Sequence, residues 1–331
     1  MTQDQGFVTV ETEQDSQVSI DSEVVLTEFA QRCYDIRIQW IGGEIPFQEA
    51  LSRLDGCMRE ALSTSSPAKQ AMVEYQLGYI HHYHGNIESS IYHYQHSRAL
   101  FQQVGNQEYV ARMELNLGEE YRYKGEFDRA LAQFRVACAV GREINNLSLQ
   151  AFAMLNTGWV LLDFEAWSEA RQSLAQAELL VGQMGDYWQK DGVLAEVYYG
   201  LSIVALRLAD AATAWKYALS LVALADRNPD ARFRGYANRL LGELITELKT
   251  APDPIPLTSP DDYFRNSIQA FQEIRFEAEI ARSLFAQACS LALRDARVDA
   301  VRKFQQAMLI FNRLGMTKDA ARAIAAQAKL V

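Results

Sequence analysis

The sequence predicts an all-α fold, a solenoid of about seven stacked antiparallel helix pairs finished by a C-terminal helix. Three observations predict it. First, Leu115-Asn116-Leu117-Gly118 and Leu155-Asn156-Thr157-Gly158 lie forty residues apart and are followed, at equal distances, by matching residue types. Gly118 leads to Tyr121, Gly125, Ala130, Phe134 and Ala137; Gly158 leads to Leu161, Glu165, Ala170, Leu174 and Ala177. A fixed period in this range marks stacked supersecondary units. Second, from Glu23 onward apolar residues recur at three- and four-residue spacings with short polar or glycine breaks, the pattern of amphipathic helices. Third, there are only seven prolines, four of them within 251–260, so long stretches stay free of helix breakers.

Residues 1–22 are polar and acidic, with Phe7, Val8 and Val10 as the notable apolar cluster, and are expected to form a disordered tail. The repeat then divides 23–316 into units at 23–65, 68–105, 107–145, 147–185, 190–228, 231–275 and 277–315. Their anchors are Ile38, Gly78, Gly118, Gly158, Ser202, Gly242 and Ala288. The first four anchors keep the forty-residue step; about four extra residues fall around 185–192 and six within 249–260. Small anchors let the first helix of a pair approach the second, where Ala50, Ser90, Ala130, Ala170, Ala214 and Ala300 are small in turn. Tyr94, Phe134, Leu174 and Phe304 fill the remaining space. One pair cannot bury its own apolar stripe, whereas stacked neighbours can. Residues 317–331 are alanine-rich and carry Lys318, Asp319, Arg322 and Lys329, as a capping helix with one wet face should.

Composition excludes several function classes. A formal net charge of −10 argues against nucleic-acid binding, which calls for a basic stripe. The N-terminal stretch lacks the basic and apolar regions of a signal peptide, and no apolar run is long enough for membrane insertion. Cys33, Cys57, Cys138 and Cys289 form no C-x-x-C and sit in apolar helical patterns, which suits reduced core residues and a cytoplasmic location. No P-loop, dinucleotide fingerprint, nucleophile elbow or zincin motif occurs, so neither enzyme activity nor a cofactor is expected.

The arrangement L-G-x-x-Y…G-x-x-x-x-A-x-x-x-F-x-x-A, carried by Leu117, Gly118, Tyr121, Gly125, Ala130, Phe134 and Ala137, resembles the tetratricopeptide repeat (TPR). Leu77, Gly78, Gly85, Tyr94 and Ser97 fit it in part, with His81 in the tyrosine slot; so do Thr157, Gly158, Ala170, Leu174 and Ala177. The resemblance spans about 23–331, and the long repeat is similar to that of bacterial regulators and adaptors that bind extended peptides. It implies a right-handed superhelix whose concave groove is lined by the first helix of each pair. It also implies a non-catalytic adaptor or scaffold for a protein or extended peptide. Carried onto this sequence, the groove face comprises Tyr75, Gln76, Tyr79, His82 and Tyr83; then Arg112, Asn116, Glu119, Arg122 and Tyr123; then Phe152, Asn156, Trp159 and Asp163; and farther on Tyr199, Arg239 and Glu243.

Asn116 and Asn156 are the sharpest of these. An amide offers a donor and an acceptor, so it can pair with both backbone groups of an extended peptide; the alternative is that each bonds a neighbouring helix or water. Tyr79, Tyr123 and Trp159 offer apolar area with a polar edge, and Arg112 and Arg122 can engage carboxylates or carbonyls. All five histidines fall within 81–96. His81, His84, His93 and His96 are candidates for a metal site or a pH-sensitive patch, against ordinary packing roles. Two further functions stay open: a ligand- or peptide-responsive regulator of a separate effector, and metal binding. Self-association into a homo-oligomer also stays open, since degenerate terminal units leave apolar surface to cover.

Overall fold

The computed structural model describes residues 13–185 and 190–330, with side chains from Thr27 onward. Among the described residues there are fifteen helices and no strand. They pair as α1 (Glu13–Ile41) with α2 (Phe47–Ser63), α3 (Pro67–His84) with α4 (Ile87–Gln103), and α5 (Gln107–Tyr123) with α6 (Phe127–Glu143). Next come α7 (Leu147–Asp163) with α8 (Trp167–Gln183), α9 (Lys190–Arg207) with α10 (Ala211–Arg227), α11 (Ala231–Leu248) with α12 (Pro260–Glu273), and α13 (Glu277–Leu293) with α14 (Arg297–Arg313). The single helix α15 (Thr317–Ala328) follows as the cap.

Local chemistry sets the helix ends. Asn106 and Asn146 accept the Tyr109 and Leu149 backbone N–H groups at 3.1 and 3.0 Å, capping α5 and α7 through their side chains. Pro67 opens α3, where its missing N–H removes no helical bond. Gly85 ends α3 in the left-handed region at φ +82, where a Cβ would be strained. The proline-rich stretch between Leu248 and Pro260 makes the long connection of the sixth pair.

Within each pair the small anchor brings the two helices together. A Cβ on Gly118 would collide with the Phe134 ring, one on Gly158 with Leu174, and one on Gly242 with Phe264. Where serine stands in for glycine its hydroxyl is used: Ser202 Oγ donates to the Ala214 carbonyl at 2.7 Å. The buried layer thus runs between the two helices of every pair and between successive pairs.

The N-terminal helix differs from expectation. The expected tail at 1–22 is helical from Glu13 onward, as the leading turns of α1. Between Glu13 and Ile41 there is neither proline nor glycine, so nothing interrupts a helix propagating back from the packed Phe29 and Cys33. Residues 1–12 lie outside the described residues, as do 186–189 within the connection expected to be lengthened.

The array curves until its last helices meet the second, third and fourth pairs. The Tyr83 ring of α3 lies 5.0 Å from that of Phe276, just before α13. Thr317 Oγ1 donates to the Lys124 carbonyl at 2.9 Å, and the Arg322 guanidinium approaches Asp163 at 3.7 Å. Leu314 is buried at this seam against Gly85. No described helix is long and apolar enough to cross a membrane.

Candidate functional site

The seven first helices α1, α3, α5, α7, α9, α11 and α13 wall one continuous groove of about 2820 Å³. That is several times the volume of a site for one small molecule, about 300–1,000 Å³. Tyr75, Tyr79, His82, Tyr83, Arg112, Asn116, Glu119, Arg122, Tyr123, Asn156, Trp159 and Asp163 all line it. Arg122 and Tyr123 are buried in its wall, and the other ten are half-buried.

Neither Asn116 nor Asn156 hydrogen-bonds any other described residue, so neither amide serves a neighbouring helix. The Asn116 Nδ2 atom is buried without a partner, and so are Gln76 Oε1, Arg122 Nε and Trp159 Nε1. Buried polar atoms in folded proteins are nearly always paired, and an unpaired one costs about 1–3 kcal/mol. Four such atoms on α3, α5 and α7 face one groove, whereas the oxygens of Glu120, Glu277, Gln287 and Gln327 that lack a hydrogen bond lie outside it and form no row along consecutive first helices.

Other expected groove residues are already engaged. His82 Nδ1 lies 2.8 Å from Glu120 Oε1, and its ring stacks on Tyr123 at 5.5 Å. Burial disfavours the charged imidazole, but the Glu120 carboxylate prevails and pushes it up to about 9. This histidine joins α3 to α5 as an ion pair. Arg122 faces Asp163 at 3.5 Å, and Arg112 pairs with Glu108 at 2.7 Å on its own helix. Burial raises the Asp163 carboxyl against the pull of Arg122.

The far wall carries a charge network that the sequence showed only in part. Arg239 donates to Glu279 at 2.6 Å from forty positions away, and Arg282 donates to the other Glu279 oxygen at 2.6 Å. Burial alone would raise the Glu279 carboxyl, yet the two guanidiniums hold it at about 2. Tyr199 links in by accepting from Arg239 Nε at 3.0 Å and donating to Glu243 at 2.7 Å. Arg232 pairs with Asp230, Arg207 with Glu247, and Arg322 with Asp163 and Asp319. Glu196 has no ion-pair partner among the described residues; burial, Glu119 and Glu279 push it up to about 7. Arg239 and Glu279 do not share a repeat slot, because six extra residues lie between their units, so the repeat register gave no signal of this pair.

The histidines do not assemble a metal site. His84 stacks on Phe47 at 3.7 Å, His81 stacks on His93 at 5.2 Å, and His96 rests on Tyr92 at 4.0 Å. His93 Nδ1 sits 2.6 Å from Glu74. Burial, with His93 and His84 close by, depresses His81 to about 4. Among the described residues no three His, Cys, Asp or Glu side chains converge in a way that holds a metal ion.

Residues 69–143, covering the second and third pairs, match the tetratricopeptide repeat family. The fold of the chain is that of a tetratricopeptide-repeat-like α-solenoid. Among solved structures, this chain is similar to the apo form of RapI, with a TM-score of 0.65 and 14% identity over 87% of this chain and 98% of that one. A Rap protein complexed with Competence and Sporulation Factor gives 0.63 and 13% identity over 96% and 90%. The Rap conjugation gene regulator of plasmid pLS20, solved with a peptide, gives 0.55 and 11% identity over 81% and 76%. At these identities the likeness is one of fold. No curated protein matches the sequence.

Proposed function

We propose that this TPR solenoid is a non-catalytic receptor for a short extended peptide, or an extended segment of a partner protein, held in its groove. The observation that carries the reading is the set of buried, unpaired polar atoms of Gln76, Asn116, Arg122 and Trp159 on three consecutive first helices. A peptide backbone supplies one donor and one acceptor per residue, the complement such a row lacks. Inner helices packed about 8–10 Å apart match about three residues of extended chain at ~3.3 Å each. Successive amides can therefore grip successive parts of one ligand. Tyr79, Tyr83 and Trp159 add rigid amphipathic area for its side chains. Two of the solved structures of similar fold are complexes, one with Competence and Sporulation Factor and one with a peptide, which agrees with this use of the groove.

A regulatory role is favoured over a passive scaffold by the seam. Asp163 lies in the groove beside Arg122 and also faces Arg322 of the capping helix. An occupant that competes for Asp163 or Arg122 therefore acts on the contact that closes the superhelix, and only such differential contact can shift a conformational equilibrium. Selection from a randomised linear-peptide library tests the function. Binders are expected, and the Asn116→Ala/Asn156→Ala chain is expected to lose them at least about tenfold with its helicity intact. A library without binders, or full retention by the double variant, would refute the reading.

A further inference from the structure

Resting on the peptide-binding reading, we propose that Arg37 is the subsite for a carboxylate of the bound peptide, at the α1–α3 end of the groove. Arg37 stands on α1, lines the groove and is only 9% exposed. Its guanidinium lies between two rings, 4.6 Å from the centre of Tyr34 and 4.2 Å from that of Tyr79. Aromatic faces stabilise the charge, but they offer the N–H groups of the guanidinium no oxygen acceptor. Arginine has five such donors, and none of those on Arg37 finds an acceptor among the described residues. Its Nε is fully buried in that state.

The contrast with its neighbours makes the case. Every other arginine of the groove wall faces a carboxylate of this chain, as described above. The ionisable groups around Arg37 are instead Tyr34, Tyr75, Tyr79 and Tyr83, which carry no negative charge at neutral pH. A guanidinium largely withdrawn from water, its Nε buried without an acceptor and no counter-ion beside it among the described residues, is unfavourable unless something else supplies both. A carboxylate does so in one step, because its two oxygens fit the planar fork side by side. The two rings hold the fork in place in advance, so little side-chain freedom is lost on binding. Gln76 on α3, then Asn116 on α5 and Asn156 on α7, continue away from this point. The ligand carboxylate is thereby placed at the first-unit end, with the peptide backbone running toward α7.

The carboxylate is either the peptide's C-terminus or an Asp or Glu side chain, and three synthetic random hexapeptide pools separate these sources. One pool has a free C-terminus and no Asp or Glu; one is C-terminally amidated and contains Asp and Glu; one is amidated and lacks them. The wild-type chain is expected to retain one of the acid-bearing pools about 10- to 100-fold better than the neutral pool, the range for a charge-assisted hydrogen bond. The pool that wins names the source. R37M and R37Q are expected to erase that preference while binding the neutral pool as wild type does. Loss of ring packing alone would instead weaken all three pools together. Equal retention of all pools by the wild type overturns the proposal, and this comparison needs no variant, so an R37M chain that fails to fold does not blunt it. A preference that survives R37M and R37Q also overturns it, with the peptide-binding function left standing. Retention of no pool removes both.

Discussion

Glu279→Gln is the substitution whose effect can be worked most directly from the structure. The Glu279 side chain is 4% exposed and receives one N–H from Arg239 and one from Arg282, each at 2.6 Å. Its carboxyl sits at about 2 in the fold, against an ordinary value of 4.5. That difference corresponds to about 3 kcal/mol of stability at neutral pH. Replacing the carboxylate by an amide removes it and leaves two buried guanidiniums short of charge, although Arg239 keeps Tyr199 and Arg282 keeps Asp319. A loss of about 3 kcal/mol, at the lower edge of the 3–5 seen when a buried pair is broken, is therefore expected. The sign of the pH dependence follows from the direction of the shift. A carboxyl lowered in the fold contributes fully above its unfolded value and loses that contribution as pH falls toward the folded one. The gap between wild type and variant should thus be full at pH 7, begin to narrow near pH 4.5, and be small near pH 2. Urea denaturation followed by far-UV circular dichroism at several pH values measures it. A variant within about 0.5 kcal/mol of wild type at pH 7, or a gap that does not change with pH, would refute the reasoning.

Three other outcomes follow from the packing and the seam. Gly118→Val drives two methyl groups into the Phe134 ring and should destabilise the chain by about 1–3 kcal/mol in urea titrations; an unchanged midpoint contradicts the close approach of α5 and α6. Leu314→Arg charges the seam beneath Gly85, so the radius of gyration from small-angle scattering should rise while helicity is kept; an unaltered radius means the closure does not depend on this contact. His82 is held above its ordinary value of 6.5, at about 9, so the stability it lends is full below pH 6.5 and lost as pH rises through 9. Wild type should lose melting temperature between pH 7 and 10 by more than a His82→Phe chain does, and equal losses would contradict the ion pair with Glu120.

Most of the fold was legible because a TPR array writes its packing into local sequence. Gly118 opposite Phe134 and Gly158 opposite Leu174 show at a fixed offset what each pair must do, and repetition lets one clear unit interpret degraded ones such as that of Ser202. The start of α1 was not legible for the opposite reason. Glu13 and its neighbours have no repeat partner to compare with, and their acidic composition suits a solvated helix as well as a loose tail.

The site divides along the same line. Asn116, Asn156 and their neighbours were legible as groove residues because their helix face is fixed by the repeat register alone. What each one does there depends on partners that register cannot supply. His82 looked like a reader of ligand and is an ion pair with Glu120; Arg112 looked free for a carboxylate and is held by Glu108. Arg37 shows the limit most clearly. Its unit has Ile38 where the clear repeats have glycine, and one of the rings against it, Tyr79, belongs to the next unit. What distinguishes it is that no carboxylate among the described residues pairs with it, which is a property of the whole groove wall and of no segment. Composition could not show it either, since acidic residues outnumber basic ones by 42 to 32 and would be expected to satisfy every arginine. A buried cation left without a counter-ion in a chain with an excess of carboxylates is a matter of placement, and placement against a ligand is the explanation for which the groove has room.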